Sequence, residues 1–359
     1  AITTGGSNVA LGTSALSANT TASNNTAVGY QAGYSNTTGT QNVFLGTHAG
    51  STNTVGANNV AVGFKPFFGS AAVTGGSNAV VGNYALYVNT TGTNNTGIGQ
   101  ETFFGNTTGG YNTAVGSNAL RSNTTASNNT AVGYQANLNG TTGGVNTFVG
   151  AESAGNGVVT GTHNVGLGAE TLYRLTSGVS NVSIGYQALS FLTTGSSNVC
   201  IGYDAGHDGT NSNNLLFIAR SSAGPSNAAT WIFGNSDGSC RQGNNATTWT
   251  QTSDERIKKN IVDSPNGLAK IDALQVRNFN YRTEAEITVE GLTGCDATGL
   301  QVGVIAQELE LVLPHAVIEN EHGLKQVNTD PIFWSMVKAI QELSTQNAAL
   351  AARLTALEA

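Results

Sequence analysis

The sequence predicts a mainly β protein, a repeat solenoid with about 17 residues per rung, followed by a small α/β unit that ends in a coiled coil. Three observations predict this fold class. A five-residue motif returns at a nearly constant interval through the first two-thirds of the chain. Charged residues are scarce before about residue 250 and frequent after it. The final residues carry apolar side chains in alternating steps of three and four.

The repeated motif is Asn, two variable residues, an aliphatic residue and Gly. Spacings between copies are 17 residues, apart from one of 19 and one of 18. Short strands and turn formers alternating at fixed period are typical of a stacked β-coil in which each repeat is one rung. At about 4.8 Å per rung, the rod would be roughly 55 Å long. The twelve copies begin at Asn8, Asn25, Asn42, Asn59, Asn78, Asn95, Asn112, Asn129, Asn146, Asn164, Asn181 and Asn198.

Each rung offers the same few side chains. We expect the aliphatic residues, from Leu11 to Ile201, to form an internal ladder, and each Asn to bond backbone groups of the next rung. The Gly would permit a tight corner. One aliphatic per rung, with an Ala in eight copies, cannot offset an ordering cost of about 1.5 kcal/mol per residue. The repeats therefore favour several chains that share one axial core.

Composition and pattern divide the chain into four predicted regions. The solenoid shaft covers residues 1–212, and a small β cap rich in aromatic residues covers 213–251. An α/β domain covers 252–330, and the coiled coil covers 331–359. Residues 1–250 hold five Lys/Arg and six Asp/Glu, whereas the shorter remainder holds nine and fifteen. Residues 251–359 therefore have the composition of an ordinary globular domain.

Within the α/β domain, Ser264–Gln275 has apolar residues at helical spacing after turn-forming residues. Val276–Arg282 alternates like a half-buried strand, and Leu300–Pro314 reads as a strand entering a helix that proline ends. The C-terminal seam predicts a coiled coil, the alternative being an amphipathic helix on its own domain. Asn347 within it is typical of a polar position that fixes register. The seam is Phe333, Met336, Ile340, Leu343, Asn347, Leu350, Leu354 and Leu357.

Several function classes are disfavoured. The net charge is −7 without a basic run, which argues against nucleic-acid binding. No apolar run approaches the roughly 20 residues that cross a bilayer. The Cys and His residues lack metal-ligand spacing, so we expect no metal and no cofactor. Aromatic residues in FKPFFG, ETFFG and LYRL either bind sugars or pack on a neighbouring chain; these segments begin at Phe64, Glu101 and Leu172.

Two family resemblances follow from these motifs. The NTAVG-type units resemble the head repeats of trimeric autotransporter adhesins and the shafts of phage tail fibres. SDERIKKNI, LAKIDALQVRNFNYR, VGVIAQELELVLPHAV and the closing coiled coil resemble the C-terminal intramolecular chaperone domain of tailspikes, endosialidases and myelin regulatory factor. QVNTDPIF departs from that family's pattern. The resemblances imply a homotrimer, with a trimeric β-roll or β-helix shaft and a trimeric coiled coil.

The chaperone resemblance also implies self-cleavage by a Ser–Lys dyad, at Ser253 and Lys258. Serine becomes a nucleophile when a base takes its proton, and a lysine of lowered pKa can be that base. Cleavage would fall at the Thr252–Ser253 bond, with Asp254 orienting the site. Three alternatives stay open: cleavage one bond further on, Lys259 as the base, and a Ser-Asp pair that only caps a helix.

The sequence thus predicts a homotrimeric tail-fibre or tailspike protein of the virion that binds a host surface receptor, most simply a glycan. One alternative is an extracellular or cell-surface bacterial adhesin. Another is a polysaccharide-degrading tailspike, which needs a carboxylate pair on a groove. The shaft's carboxylates are too sparse for a compelling pair, although the last two are close in sequence; they are Glu101, Glu152, Glu170, Asp204 and Asp208.

Overall fold

A computed structural model gives the fold as two compact units, Ala1–Thr250 and Gln251–Ala359. Each unit is described by itself. The structure describes residues 4–69, 71–206, 211–219, 230–234, 240–242, 259–282, 286–287, 299–319 and 323–358.

The first unit is a β-solenoid with one three-residue strand in each of twelve rungs, which confirms the predicted period. The strands stack in parallel and in chain order, so each residue pairs with its equivalent in the next rung. The longer intervals are absorbed in the turns, since Val60 still pairs with Ala79. The strands are β1 Val9–Leu11, β2 Thr26–Val28, β3 Val43–Leu45, β4 Val60–Val62, β5 Ala79–Val81, β6 Thr96–Ile98, β7 Thr113–Val115, β8 Thr130–Val132, β9 Thr147–Val149, β10 Val165–Leu167, β11 Val182–Ile184 and β12 Val199–Ile201.

The expected internal ladder of aliphatic residues is wrong. Side chains along a strand point to alternate faces. The motif Asn is buried in eleven of the rungs, so the aliphatic residue three positions later lies on the outer face. The solenoid interior is filled instead by the middle residue of each strand and by residues of the following turn. The largest fully buried side chains of the interior are Phe44, Phe67, Phe103, Phe148, Leu86, Leu120, Leu172, Leu175, Leu192 and Val73.

The Asn residues form the predicted ladder. Asn25 Oδ1 accepts a hydrogen bond from the Asn42 backbone N–H at 2.9 Å, and Asn42 Nδ2 donates to the Gly56 carbonyl at 2.9 Å. The N–H to Oδ1 bond recurs from each rung to the next, from Asn8 to Leu215. Each buried amide therefore bonds backbone groups that would otherwise be buried without hydrogen-bond partners in the narrow interior.

Replacing one ladder residue should cost much of the shaft's stability. Asn112→Ala leaves the Asn129 N–H buried without a partner and removes one of the two side-chain donors to the Ala126 carbonyl, which keeps that of Asn123. At about 1–3 kcal/mol for one buried unsatisfied group, the free energy of unfolding should fall by roughly 1–3 kcal/mol. Denaturant unfolding followed by circular dichroism measures it. Thr125→Ala, at an exposed position of the same rung, is the matched control and should change little. An equal loss in both variants would contradict a stabilising role for the ladder.

The motif glycine turns the chain at the end of each strand. Gly29 has a φ of +136°, and a Cβ there would lie 2.5 Å from the Gly46 carbonyl oxygen. Only glycine therefore fits this corner without strain.

The solenoid continues for one more strand and then changes direction. β13 (Leu216–Ala219) pairs in parallel with β12, as a thirteenth rung would. β14 (Thr230–Gly234) and β15 (Cys240–Gln242) then add in antiparallel order. Antiparallel pairing thus covers the last parallel edge of the stack, and most of the segment predicted as a β cap lies outside the described residues.

The second unit is a small α/β arrangement. α1 is Leu268–Asp272, β16 is Arg277–Phe279, β17 is Gln301–Gly303 and α2 is Ala306–Val312. A 3₁₀ turn begins at Pro314, so the helix ends before the proline as predicted. Two antiparallel strand pairs form, one of β16 with β17 and one of β18 (Val317–Glu319) with β19 (Lys325–Val327). Helix α3, Thr329–Glu358, follows β19.

Candidate functional site

The outer face of the solenoid sheet is an unpartnered apolar surface. It is built by the third residue of each strand, and we call this column the sheet face. Its side chains are half-exposed to exposed, with Leu11 66%, Ile98 49% and Val81 45% exposed. One member recurs on every rung, so the column is continuous along roughly 55 Å. The sheet face is Leu11, Val28, Leu45, Val62, Val81, Ile98, Val115, Val132, Val149, Leu167, Ile184 and Ile201.

The neighbouring column also faces outward and mixes Val with Thr. The first residue of each strand also points outward, and in all rungs but one it is Val or Thr; the exception is Ala79. Apolar patches of this extent on a soluble protein mark interaction surfaces. The aliphatic residues are therefore available for contact outside the single chain, whereas the predicted internal ladder placed them in its interior.

Helix α3 shows a second unpartnered surface. Ser335 and Ala339 are its buried residues, and Ile332 packs on the small core around Leu309 and Leu313. Glu342 of α3 accepts a hydrogen bond from the Leu268 N–H of α1 at 2.8 Å. The first part of α3 therefore does pack on its own unit, as the alternative interpretation held, but by a face other than the heptad seam.

The heptad seam itself stays exposed in the single chain. Ile340 is 65% exposed, Leu350 58% and Leu357 84%. Asn347 lies in the same exposed stretch of helix. A 30-residue helix that offers apolar residues at heptad spacing has the geometry that a coiled-coil partner requires.

Ion pairs link neighbouring elements at the surface of the α/β part of the second unit. Arg277 Nη2 and Nε donate to the two Glu308 carboxylate oxygens at 2.8 and 3.0 Å, joining β16 to α2. This hydrogen bonding lowers the pKa of Glu308 and raises that of Arg277. Lys325 of β19 similarly pairs with Glu310. These contacts position the elements that follow the predicted cleavage site.

The predicted catalytic residues lie outside the described residues. These are Ser253 and Lys258, the supporting Asp254 and the Thr252 side of the predicted bond. Lys259, the alternative base, is the first described residue after that segment, and it is exposed. The dyad therefore remains a prediction from the sequence.

Other predicted site residues are placed on the shaft. Glu101 forms an ion pair with Arg121 at 2.7 Å, and Glu170 accepts a hydrogen bond from Gln187 at 2.7 Å. Within the described residues, no group of three or more His, Cys, Asp or Glu is placed to hold a metal ion. Among the same residues, no helix has the length and hydropathy needed to cross a membrane.

Comparison with known proteins bears on the second unit. Residues 253–318 match the family model described as chaperone of endosialidase. No solved structure matches the chain. The predicted resemblance of the terminal unit is therefore confirmed over this range. Together with the twelve-rung solenoid, it fits a tail-fibre-like or endosialidase-like protein.

Proposed function

We propose that the chain is the subunit of a homotrimeric tail-fibre or tailspike protein of the virion, which attaches to a host cell surface. Its terminal unit aligns three chains during folding and then releases itself by self-cleavage. The observation that carries the proposal is the sheet face, an apolar surface on every rung of a chain that also carries a chaperone-of-endosialidase match. A bacterial trimeric adhesin would share this assembly and differ in location.

Burial of the sheet face supplies the free energy that the single solenoid lacks. Removing a Val, Leu or Ile side chain from water is worth about 1.5–3 kcal/mol when burial is complete. The sheet-face side chains are already partly covered, so each gains less, on the order of 1 kcal/mol. With twelve members per chain, the sum is about 12 kcal/mol, comparable to the cost of association of roughly 4–15 kcal/mol, so a few rungs alone contribute too little to offset most of that range. Assembly would therefore be cooperative along the shaft.

Register is the difficulty that such a surface creates. Neighbouring rungs present nearly the same residues, so a shift of one rung preserves most contacts. A separate unit that associates first removes this ambiguity. The exposed seam of α3 gives the terminal unit a means of bringing three copies together, and Asn347 would fix their alignment.

Release of the terminal unit follows from the proposed dyad. The Lys258 amine takes the proton of the Ser253 hydroxyl, and Ser253 Oγ attacks the carbonyl carbon of Thr252. The peptide C–N bond breaks, the nitrogen of Ser253 takes up a proton, and an ester forms. Water then opens the ester, which leaves a carboxylate on Thr252 and restores the hydroxyl. Removal of the aligning unit would leave a trimer that unfolds slowly.

A truncated chain tests the aligning role. Residues 1–252 expressed alone should form few soluble trimers, because the repeats then pair without a register signal. The full chain should give soluble trimers under the same conditions. Size-exclusion chromatography with light scattering measures the difference, which we expect to exceed about tenfold in yield. Equal trimer yield from both would contradict a chaperone role for the terminal unit.

A further inference from the structure

A strip of aromatic rings runs along the outside of the shaft between rungs two and six. Tyr30, His48, Phe68, Tyr87 and Phe104 contact one another in that order, with ring centroids 4.8–6.0 Å apart. We call these five residues the aromatic strip. The last pair is stacked face to face, with an interplanar angle of 1°. The rungs thus align their rings into one continuous surface.

A second row widens the strip at its centre. Phe64 and Tyr84 meet edge to face at 5.4 Å, and Tyr84 lies 5.7 Å from Tyr87. Tyr30 and Phe64 remain 47% and 39% exposed, so ring surface is open to solvent. All these residues follow the glycine that ends a strand, so they lie outside the sheet face.

The strip is local, whereas the sheet face recurs on every rung. At the position of Phe64, Tyr returns in three later rungs, but Ser117, Ala151 and Ala169 interrupt the row; the three are Tyr134, Tyr186 and Tyr203. A surface needed for packing between chains would be expected along the whole shaft, as the sheet face is. A continuous row of ring contacts that spans only five rungs is better explained by a ligand of limited length.

The charge of the strip is positive on an acidic chain. Between residues 25 and 128 the charged residues are Lys65, Glu101 and Arg121, against −7 for the whole chain. Arg121 lies over the Phe104 ring at 5.0 Å and pairs with Glu101. The Lys65 amine lies over the rings of Phe64 and Phe68 at 5.1 and 4.7 Å, and within the described residues it forms no ion pair.

His48 adds no charge near neutral pH. Its ring lies between Tyr30 and Phe68, and its Nδ1 is buried without a hydrogen-bond partner. Burial, and to a lesser extent the charge of Lys65, lowers the pKa of His48. The uncompensated charge of the strip is therefore the Lys65 amine.

We propose that the aromatic strip, with Lys65, is a binding surface for an acidic saccharide. The apolar C–H faces of sugar rings match exposed aromatic rings, and a carboxylate on the sugar complements the lysine. The strip spans four rung intervals, or roughly 19 Å, which suits an oligosaccharide rather than one sugar. This inference rests on the proposed attachment function and names the class and place of the receptor.

The repeats supply substitutions that the fold already accepts. Lys65→Gln introduces the residue that Gln31, Gln135 and Gln187 provide at the equivalent position. Phe64→Ala introduces the residue found at Ala151 and Ala169. Tyr203→Ala is the matched control, because Tyr203 stacks on Tyr186 at 5.4 Å beside an acidic group, Glu170, rather than a lysine.

The test uses the full chain, with oligogalacturonate as the acidic probe and malto-oligosaccharide of equal length as the neutral one. Isothermal titration should show preferential binding of the acidic probe, weakened at least about tenfold by Lys65→Gln and by Phe64→Ala and unchanged by Tyr203→Ala. Equal binding of both probes, binding of neither, or an equal loss in the control would overturn the proposal.

Oligomeric mass is measured on the same samples. A trimer that binds neither saccharide would contradict this inference alone. A monomer would contradict the proposed function. Dissociation of the trimer by Phe64→Ala would show that the strip packs between chains, and would likewise overturn the proposal.

Discussion

The double variant Val115→Asp, Val132→Asp should abolish the trimer. These half-buried sheet-face residues lie on adjacent rungs, so three chains would bring six carboxylates to one apolar interface. Each buried, unpaired carboxylate costs several kcal/mol, which exceeds what its rung contributes. Light scattering should report the mass of a single chain, with at least about a hundredfold loss of trimer at equal concentration.

The control for this variant adds the same charges elsewhere on the same rungs. Thr125→Asp, Thr142→Asp changes two exposed turn residues and should leave the trimer intact. Trimers in both double variants would show that the sheet face is not the interface. Loss of the trimer in both would show that added charge alone is responsible.

Ser253→Ala should leave the chain in one piece. The wild-type chain should separate on a denaturing gel into residues 1–252 and 253–359, and the variant should remain at 36.6 kDa. The loss should be complete, because no other hydroxyl replaces the nucleophile in an acyl shift of its own peptide bond. Trimer formation should persist, since alignment precedes cleavage.

Two lysine variants assign the base. Lys258→Ala should slow cleavage by at least about a hundredfold, in line with loss of a general base. Lys259→Ala, next in the chain, is the matched control and should cleave at the wild-type rate. Cleavage that survives Ser253→Ala would refute the dyad, and loss with Lys259→Ala alone would move the base by one residue.

The positions of the strands could be predicted from the sequence, because Asn and Gly mark each rung and their spacing determines how the rungs stack. The Asn ladder could be predicted as well, since a repeated buried amide can only bond the rung beside it. The predicted interior location of the aliphatic column from Leu11 to Ile201 was wrong, because a hydrophobic column is usually assigned to the interior. Counting alternation from the buried Asn would have placed these residues outside, as the structure does.

Other features needed three-dimensional placement. The seam of α3 is conspicuous in the sequence, but its second face is made by the small residues Ser335 and Ala339, which carry no apolar signal of their own. The aromatic strip combines residues from different rungs and different repeat positions, so no short motif contains it. Tyr30 and Phe104 are brought onto one line only by the stacking of rungs.

Native mass spectrometry of the purified wild-type product tests the central claim most directly. That claim is that three chains assemble through the sheet face and that the terminal unit is then cut away. The predicted result is a complex with the mass of three copies of residues 1–252, each ending at Thr252. A monomer of residues 1–252, or a complex of any size whose chains all retain residues 253–359, would contradict it.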